Sequence, residues 1–135
     1  MKISGGCACG SIRYEGDADP AVMVNCHCRD CQRSTGSGYA PVMALPAAAI
    51  KFKGTPRYYK TIGESGKAIE RGFCVNCGSP VAVKLERFPD LIGVQAASLD
   101  DPSQYKPGLE LFTESAQAWD LLRAETQKKP RGFSS

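Results

Sequence analysis

Residues 25–33 read NCHCRDCQR, with three cysteines and one histidine inside six positions. How those thiols are used sets what kind of domain the chain can be. The chain holds seven cysteines, an odd number, so disulfide pairing cannot use them all. The opening MKISGGCACG lacks the apolar core of a signal peptide, and no apolar run approaches the length of a membrane span. The expected location is therefore cytoplasmic. In that reducing compartment clustered cysteines read as metal ligands or catalytic thiols rather than as staples.

Outward from the central cluster, the remaining cysteines fall into two pairs, Cys7 and Cys9 (CAC) and Cys74 and Cys77 (CVNC). A C-x-x-C pair puts two thiolates on one tight turn, where both reach one tetrahedral ion. C-x-C does the same on an extended segment, because residues i and i+2 point to the same side. Three divisions of the seven are open. In the first, Cys7, Cys9, Cys74 and Cys77 close a four-thiolate structural zinc site. Cys26, Cys28 and Cys31 then supply three ligands to a second, catalytic zinc with an open fourth position. The second division pairs Cys28 and Cys31 with Cys74 and Cys77, and leaves Cys7, Cys9 and Cys26 without a role. The third gathers the five early cysteines on one ion and strands the late pair. Only the first employs every thiol, and it predicts two Zn2+ sites.

Neighbouring residues suggest further roles. His27 lies between two ligands and on an extended stretch points away from them, towards a supporting position or the surface; the alternative is a fourth ligand or a proton carrier. Arg29 and Arg33 flank Cys31, where positive charge favours thiolate over thiol, and they are the candidates to bind the carboxylates of a small anionic substrate. The following STGSG (34–38) reads as a flexible turn, and Tyr39 as a candidate proton donor.

At 135 residues and a net charge of +3 the chain fits one globular domain. It has no basic block, so nucleic acid and membrane surfaces are not expected partners. Short runs rich in β-branched and aromatic residues predict strands over Ser11–Glu15, Ala21–Asn25, Tyr39–Leu45, Arg57–Ile62, Lys67–Phe73, Val81–Leu85 and Leu91–Ala96. Breakers such as GTP, GESG, GSP and FPD separate them. Ala47–Ala49 suits one helical turn, and Ala116–Glu125 is the best helix candidate. The expectation is a mainly β, zinc-stabilised domain over 1–125, antiparallel with little helix. A polar, frayed tail follows over 126–135. An exposed sheet face leaves room for a homodimer.

Three segments, GGCACGSIRY (5–14), CHCRDCQRSTGS (26–37) and FCVNCGSP (73–80), resemble the signatures of the glutathione-dependent formaldehyde-activating family, which shares its domain with centromere protein V. SLDDPSQYKP (98–107) and TESAQAW (113–119) resemble its C-terminal pattern, so the likeness runs over nearly the whole chain. The resemblance implies a β-tent fold with two zinc sites. It matches Cys7, Cys9, Cys74 and Cys77 to the structural ligands and Cys26, Cys28 and Cys31 to the catalytic ones. It also implies a carbon–sulfur lyase that joins glutathione, or another small thiol, to an aldehyde such as formaldehyde. The competing reading is a non-catalytic, zinc-stabilised module that binds protein or nucleic acid.

Overall fold

The computed structural model describes residues 1–135. In chain order the first strands are Lys2–Gly6 (β1), Arg13–Asp17 (β2) and Val22–Cys26 (β3), followed by the helix Arg29–Thr35 (α1), Ala40–Pro46 (β4) and Ile50–Lys53 (β5). Then come Arg57–Ile62 (β6), Ala68–Phe73 (β7), Pro80–Leu85 (β8), Leu91–Gln95 (β9), Leu109–Leu111 (β10) and Gln127–Lys128 (β11). The strands form a small sheet ordered β1-β2-β5 and a large one ordered β11-β10-β3-β4-β9-β8-β7-β6. The fold is mainly β, as the strand-like runs predict. All pairings among β1–β9 are antiparallel, but β10 runs parallel to both β3 and β11.

One core holds the two sheets together. Ile3, Tyr14 and Ile50 of the small sheet bury against Met43, Val81, Ala82, Ile92 and Val94 of the large one. The small sheet approaches closely because β1 carries Gly5, where a Cβ would stand 2.4 Å from Ser98 O and from Tyr14 Oη.

Strand alternation assigns the other face of the large sheet a different content. Met43 and Ala82 each lie opposite the core residue Val94. The intervening pairs, Cys26 with Ala40, Val42 with Gln95, Val83 with Gly93 and Arg71 with Val83, therefore present their side chains away from the core. Cys26, Gln95 and Arg71, far apart in sequence, share this second face, and α1 packs near β4.

Several expectations need correction. Cys26 ends β3, Cys28 is the N-cap of α1 and Cys31 lies inside it, while Ser34 and Thr35 belong to the helix rather than to a flexible turn. Gly36 closes the helix in the left-handed conformation (φ 67°), with its N–H on Gln32 O at 2.8 Å. Ala116–Glu125 forms no helix. Trp119 and Leu121 are 71% and 89% exposed, so the segment has no apolar stripe to bury, and a ten-residue helix without one is marginal. Its inward contacts come from Gln117 and Asp120 instead. Nor is the tail frayed: Gln127–Lys128 adds β11 to the sheet edge, and Thr126 is buried. Ala47–Ala49 forms a single 3-10 turn, as expected. No helix is long and apolar enough to cross a membrane.

Candidate metal centres

The chain brings Cys7 and Cys9 onto the turn that leaves β1, and Cys74 and Cys77 onto the turn between β7 and β8. The two turns are built alike. Each ends in a glycine with positive φ (Gly10, 80°; Gly78, 79°) followed by a serine, and each closes with a backbone bond to the first cysteine's carbonyl: Gly10 N–H to Cys7 O at 3.2 Å, Gly78 N–H to Cys74 O at 2.7 Å. The four thiols lie within 4.8 Å of one another. Four thiolates held tetrahedrally about 2.3 Å from one ion stand about 3.8 Å apart. Cys7 and Cys9 Sγ are 3.6 Å apart, and Cys9 and Cys74 Sγ 3.8 Å. The donor set and its spacing fit a zinc-sized ion.

The two serines lace the turns together. Ser11 Oγ lies 2.9 Å from Cys9 Sγ and 3.2 Å from Cys74 Sγ, so it spans both turns. Ser79 Oγ accepts the Ala8 N–H at 3.0 Å and lies 3.2 Å from Cys77 Sγ. The Ser79 hydroxyl holds the Cys77 thiol down to about 5, and Ser11, with Asn76, holds Cys9 near 7. Neither serine was singled out from sequence, although the shared C-G-S ending of the two motifs was there to be read. Ser79→Ala is expected to weaken retention of a metal at this centre about tenfold, the usual effect of removing a supporting contact to a ligand. Competition against a chromophoric chelator measures it.

The second cluster, Cys26, Cys28 and Cys31, also lies within 4.8 Å, with no His, Asp or Glu completing it. Cys28 accepts the Cys31 N–H at 3.3 Å, so the N-cap of α1 fixes the spacing of two of the three thiols. Arg71 of β7, only 9% exposed, aims its guanidinium at them: Nη2 is 3.5 Å from Cys31 Sγ and 3.9 Å from Cys28 Sγ, while Nη1 donates to Thr61 Oγ1 at 2.9 Å. Hydrogen bonds from Cys26 and Cys31 push the Cys28 thiol far down. The same bond to Cys28 holds Cys26 well up, and Cys31, helped by Cys26 but opposed by Cys28 and by burial, rises to about 11. Three crowded thiols share one negative charge unless a cation offsets the others. The donor set fits a soft metal on these chemical grounds.

His27 points away from both thiols beside it and is buried (1% exposed) rather than at the surface. Its Nε2 is 2.9 Å from Glu110 Oε1. Its Nδ1 is 3.1 Å from Asp120 Oδ2, close enough for an ion pair but off the line of a hydrogen bond. Its backbone N–H donates to Leu111 O at 2.9 Å. Thr126 Oγ1 donates to the other Glu110 oxygen. Gln32 Nε2 donates to His27 O at 2.7 Å and to Ser115 O at 3.0 Å. The segment 109–126 is thereby tied over the back of the junction between β3 and α1. Both histidine nitrogens face carboxylates, so His27 is not a fourth ligand.

The sequence model for the glutathione-dependent formaldehyde-activating enzyme matches residues 2–115. The chain belongs to this family. A Halomonas elongata protein named "Putative glutathione-dependent formaldehyde-activating enzyme" is 27% identical over 140 residues, covering 99% of this chain and 88% of that protein. A crystal structure of a Rhodobacter sphaeroides protein superposes with a TM-score of 0.59 at 23% identity, over 75% of this chain and 93% of the other, which speaks for the fold.

In this member of the formaldehyde-activating family a cleft runs past the four-cysteine centre; Cys26, Cys28 and Cys31 line neither of its lobes, and the smaller lobe meets them only through Arg71. Its larger lobe, about 450 Å³, runs along Cys7, Ala8 and Ser79 on one side and Thr35, Ser37 and Tyr39 on the other. Its smaller lobe, about 210 Å³, reaches Arg71 and Ser34, and Pro80 and Gln95 wall both lobes. Tyr39 also packs its ring 5.4 Å from that of His27. Arg29 and Arg33 are exposed on α1, and Arg29 Nη1 is engaged by Gln32 Oε1. The cation against the thiols is Arg71, which sequence reasoning missed because 40 positions separate it from Cys31.

Proposed function

We propose that this protein joins a small thiol, glutathione in the family's naming reaction, to an aldehyde such as formaldehyde. Carbon–sulfur bond formation would take place beside Cys26, Cys28 and Cys31. The observation that carries the reading is a cluster of three thiols with no fourth protein ligand, next to Arg71, which lies 3.5 Å from Cys31 Sγ and lines a cavity of about 210 Å³. Cys7, Cys9, Cys74 and Cys77 would hold a structural zinc. Zinc held by Cys26, Cys28 and Cys31 would supply an open position at which a substrate thiol gives up its proton near neutral pH. The chain's own groups do the rest. α1 and β3 hold the three sulfurs in place, and Arg71 offsets part of their charge, so the cluster tolerates an additional anionic sulfur. In the overall step the thiol sulfur bonds to the aldehyde carbon, the C=O π bond opens, and the proton lost from sulfur ends on the aldehyde oxygen. Tyr39, in the wall of the larger lobe, is our candidate to deliver that proton. Arg29 and Arg33 remain candidates for the substrate's carboxylates at the rim, and cytoplasmic residence suits both free thiols and this substrate.

The test measures metal content and thiol binding together. The wild type is expected to hold two zinc ions per chain, to bind glutathione, and to raise the rate of S-hydroxymethylglutathione formation above the spontaneous rate, read by NMR exchange. Cys31→Ser is expected to keep one zinc and to lose glutathione binding by at least tenfold. Full zinc content with unchanged glutathione affinity in that variant overturns the reading. The binding-module alternative needs the second centre closed by His27, whose Nε2 is hydrogen-bonded to Glu110 and whose Nδ1 faces Asp120 rather than the thiols.

A further inference from the structure

We propose that Arg71 holds the oxygen of the aldehyde and stabilises the negative charge that forms there as the carbon–sulfur bond is made. The inference rests on the function proposed above and adds the group that activates its electrophile. The arginines paired with carboxylates, Arg13, Arg123 and Arg131, lie at the surface. Arg71 is only 9% exposed and has no carboxylate partner. Its Nη1 donates to Thr61 Oγ1 at 2.9 Å, and its Nη2 faces Cys31 Sγ at 3.5 Å and Cys28 Sγ at 3.9 Å. A guanidinium carries five N–H donors, so these contacts leave Nε–H and one Nη1 N–H without a protein acceptor. Those donors are not sealed in: the partnerless side-chain atoms cut off from solvent are His27 Nδ1 and Asp120 Oδ2. Arg71 instead lines the cavity of about 210 Å³, together with Phe73, Pro80 and Ala82.

The volume decides which substrate this cavity takes. Sites for drug-sized molecules run to roughly 300–1,000 Å³, so this lobe is too small for the body of a tripeptide and suits a short aldehyde. Arg71 both touches the thiols and lines the cavity, so an electrophile on its free N–H groups lies one guanidinium away from the sulfurs. The reaction needs a donor at that point. As the thiol sulfur bonds to the aldehyde carbon, the C=O π pair moves onto oxygen, which stays negative until the proton lost from sulfur reaches it. A fixed N–H donor interacts more strongly with that oxygen than with the neutral carbonyl, so it raises the rate more than the affinity. Arginine keeps its own proton throughout and acts by charge and hydrogen bonding alone. A counter-ion for the thiols would not require a guanidinium, because a lysine ammonium supplies the same charge without the fixed array of donors. Thr61, which holds Nη1, is a positioning residue for Arg71.

The test uses the full chain as purified, with its metal content measured. Arg71→Lys keeps the charge and loses the fixed donors, Arg71→Met removes both, and Thr61→Val leaves the guanidinium unanchored. In NMR exchange measurements with glutathione and formaldehyde, Arg71→Lys is expected to lower kcat at least tenfold and Arg71→Met about a hundredfold. Thr61→Val is expected to lower it by a smaller factor. In Arg71→Lys the KM for glutathione should stay within about twofold of the wild type and the metal content should not change. Formate, a one-carbon molecule with charged oxygens, reports the site without any reaction. It is expected to bind the wild type saturably, shifting the Arg71 Nε–H and Gly72 backbone resonances, and to bind Arg71→Lys at least tenfold more weakly. Wild-type kcat and formate affinity in Arg71→Lys overturn the assignment. So does a loss of metal and glutathione binding in step with the rate, which would make Arg71 a counter-ion only, and so does a wild type that does not bind formate. A wild type that binds formate through Arg71, yet neither binds glutathione nor accelerates its addition to formaldehyde, leaves an oxyanion site at Arg71 and overturns the thiol reaction.

Discussion

Replacing Cys74 with serine is expected to unfold the domain at moderate temperature rather than merely lower its activity. Cys74 is 2% exposed and lies in the same cluster as Ile3, Met43 and Val81, so the candidate closed centre is part of the core. Its four thiols come from two turns, with 65 positions between Cys9 and Cys74, and a metal held by them would pin the small sheet to the large one. Structural zinc contributes about 10–16 kcal/mol in small domains, comparable with the whole stability of about 5–15 kcal/mol. Loss of one ligand should lower the melting temperature by roughly 15–25 °C. Cys28→Ser, in the three-thiol centre on the cleft side, should lower it by only about 5 °C or less. Thermal melts of the two variants, followed by circular dichroism, give the comparison. Equal losses would show that the seven thiols are not divided as four and three.

The second large effect is expected at Glu110. Its carboxylate is 2% exposed and bonded to His27 Nε2 and the Thr126 hydroxyl. Removing one member of a buried charged set leaves the others without compensation, at a cost of about 3–5 kcal/mol. Glu110→Ala should therefore lose most of the domain's margin in urea at neutral pH and free the segment 109–126 from the back of the junction between β3 and α1. Thr126→Val removes one neutral donor and should lose about 1 kcal/mol. The pH dependence has a defined sign. Burial pushes the Glu110 carboxyl up, but the Thr126 and His27 bonds outweigh it and hold the group below its ordinary value. A carboxyl depressed in the folded state stabilises fully above its unfolded pKa of about 4.3, and that stabilisation disappears as pH falls through the folded value. The gap between wild type and Glu110→Ala should therefore be constant from pH 7 to about 5 and narrow below about 4. A gap unchanged at pH 3 would assign the loss to packing alone.

Much of the fold was legible because strands announce themselves locally. Arg57–Ile62 matches β6 residue for residue, and the other six strand-like runs fall within two residues of β2, β3, β4, β7, β8 and β9. The strands missed were β1, with two glycines in KISGG, and the short β5, β10 and β11, whose pairing depends on neighbours rather than on their own residues. The helix assignments failed in both directions for one reason. α1 forms on seven residues because Cys28 caps it and Cys31 and Gln32 are buried, whereas 116–125 has helix-forming residues and nothing to pack them on.

Taken alone, the sequence was enough to pick out the cysteine clusters and to predict a mainly β domain. Ligand spacing is local: two thiols separated by one or two residues meet whatever the rest of the chain does, and strand propensity acts over five or six residues. Tertiary structure alone decided what surrounds those thiols. Arg71 beside Cys31, Ser11 bridging Cys9 and Cys74, Glu110 on His27 and Gln95 in the wall of the cleft all depend on strand register and crossing turns. A shift of one residue in register turns every side chain of a strand to the other face, so no inspection of the linear chain could have assigned Arg71 and Gln95 to the face that carries Cys26.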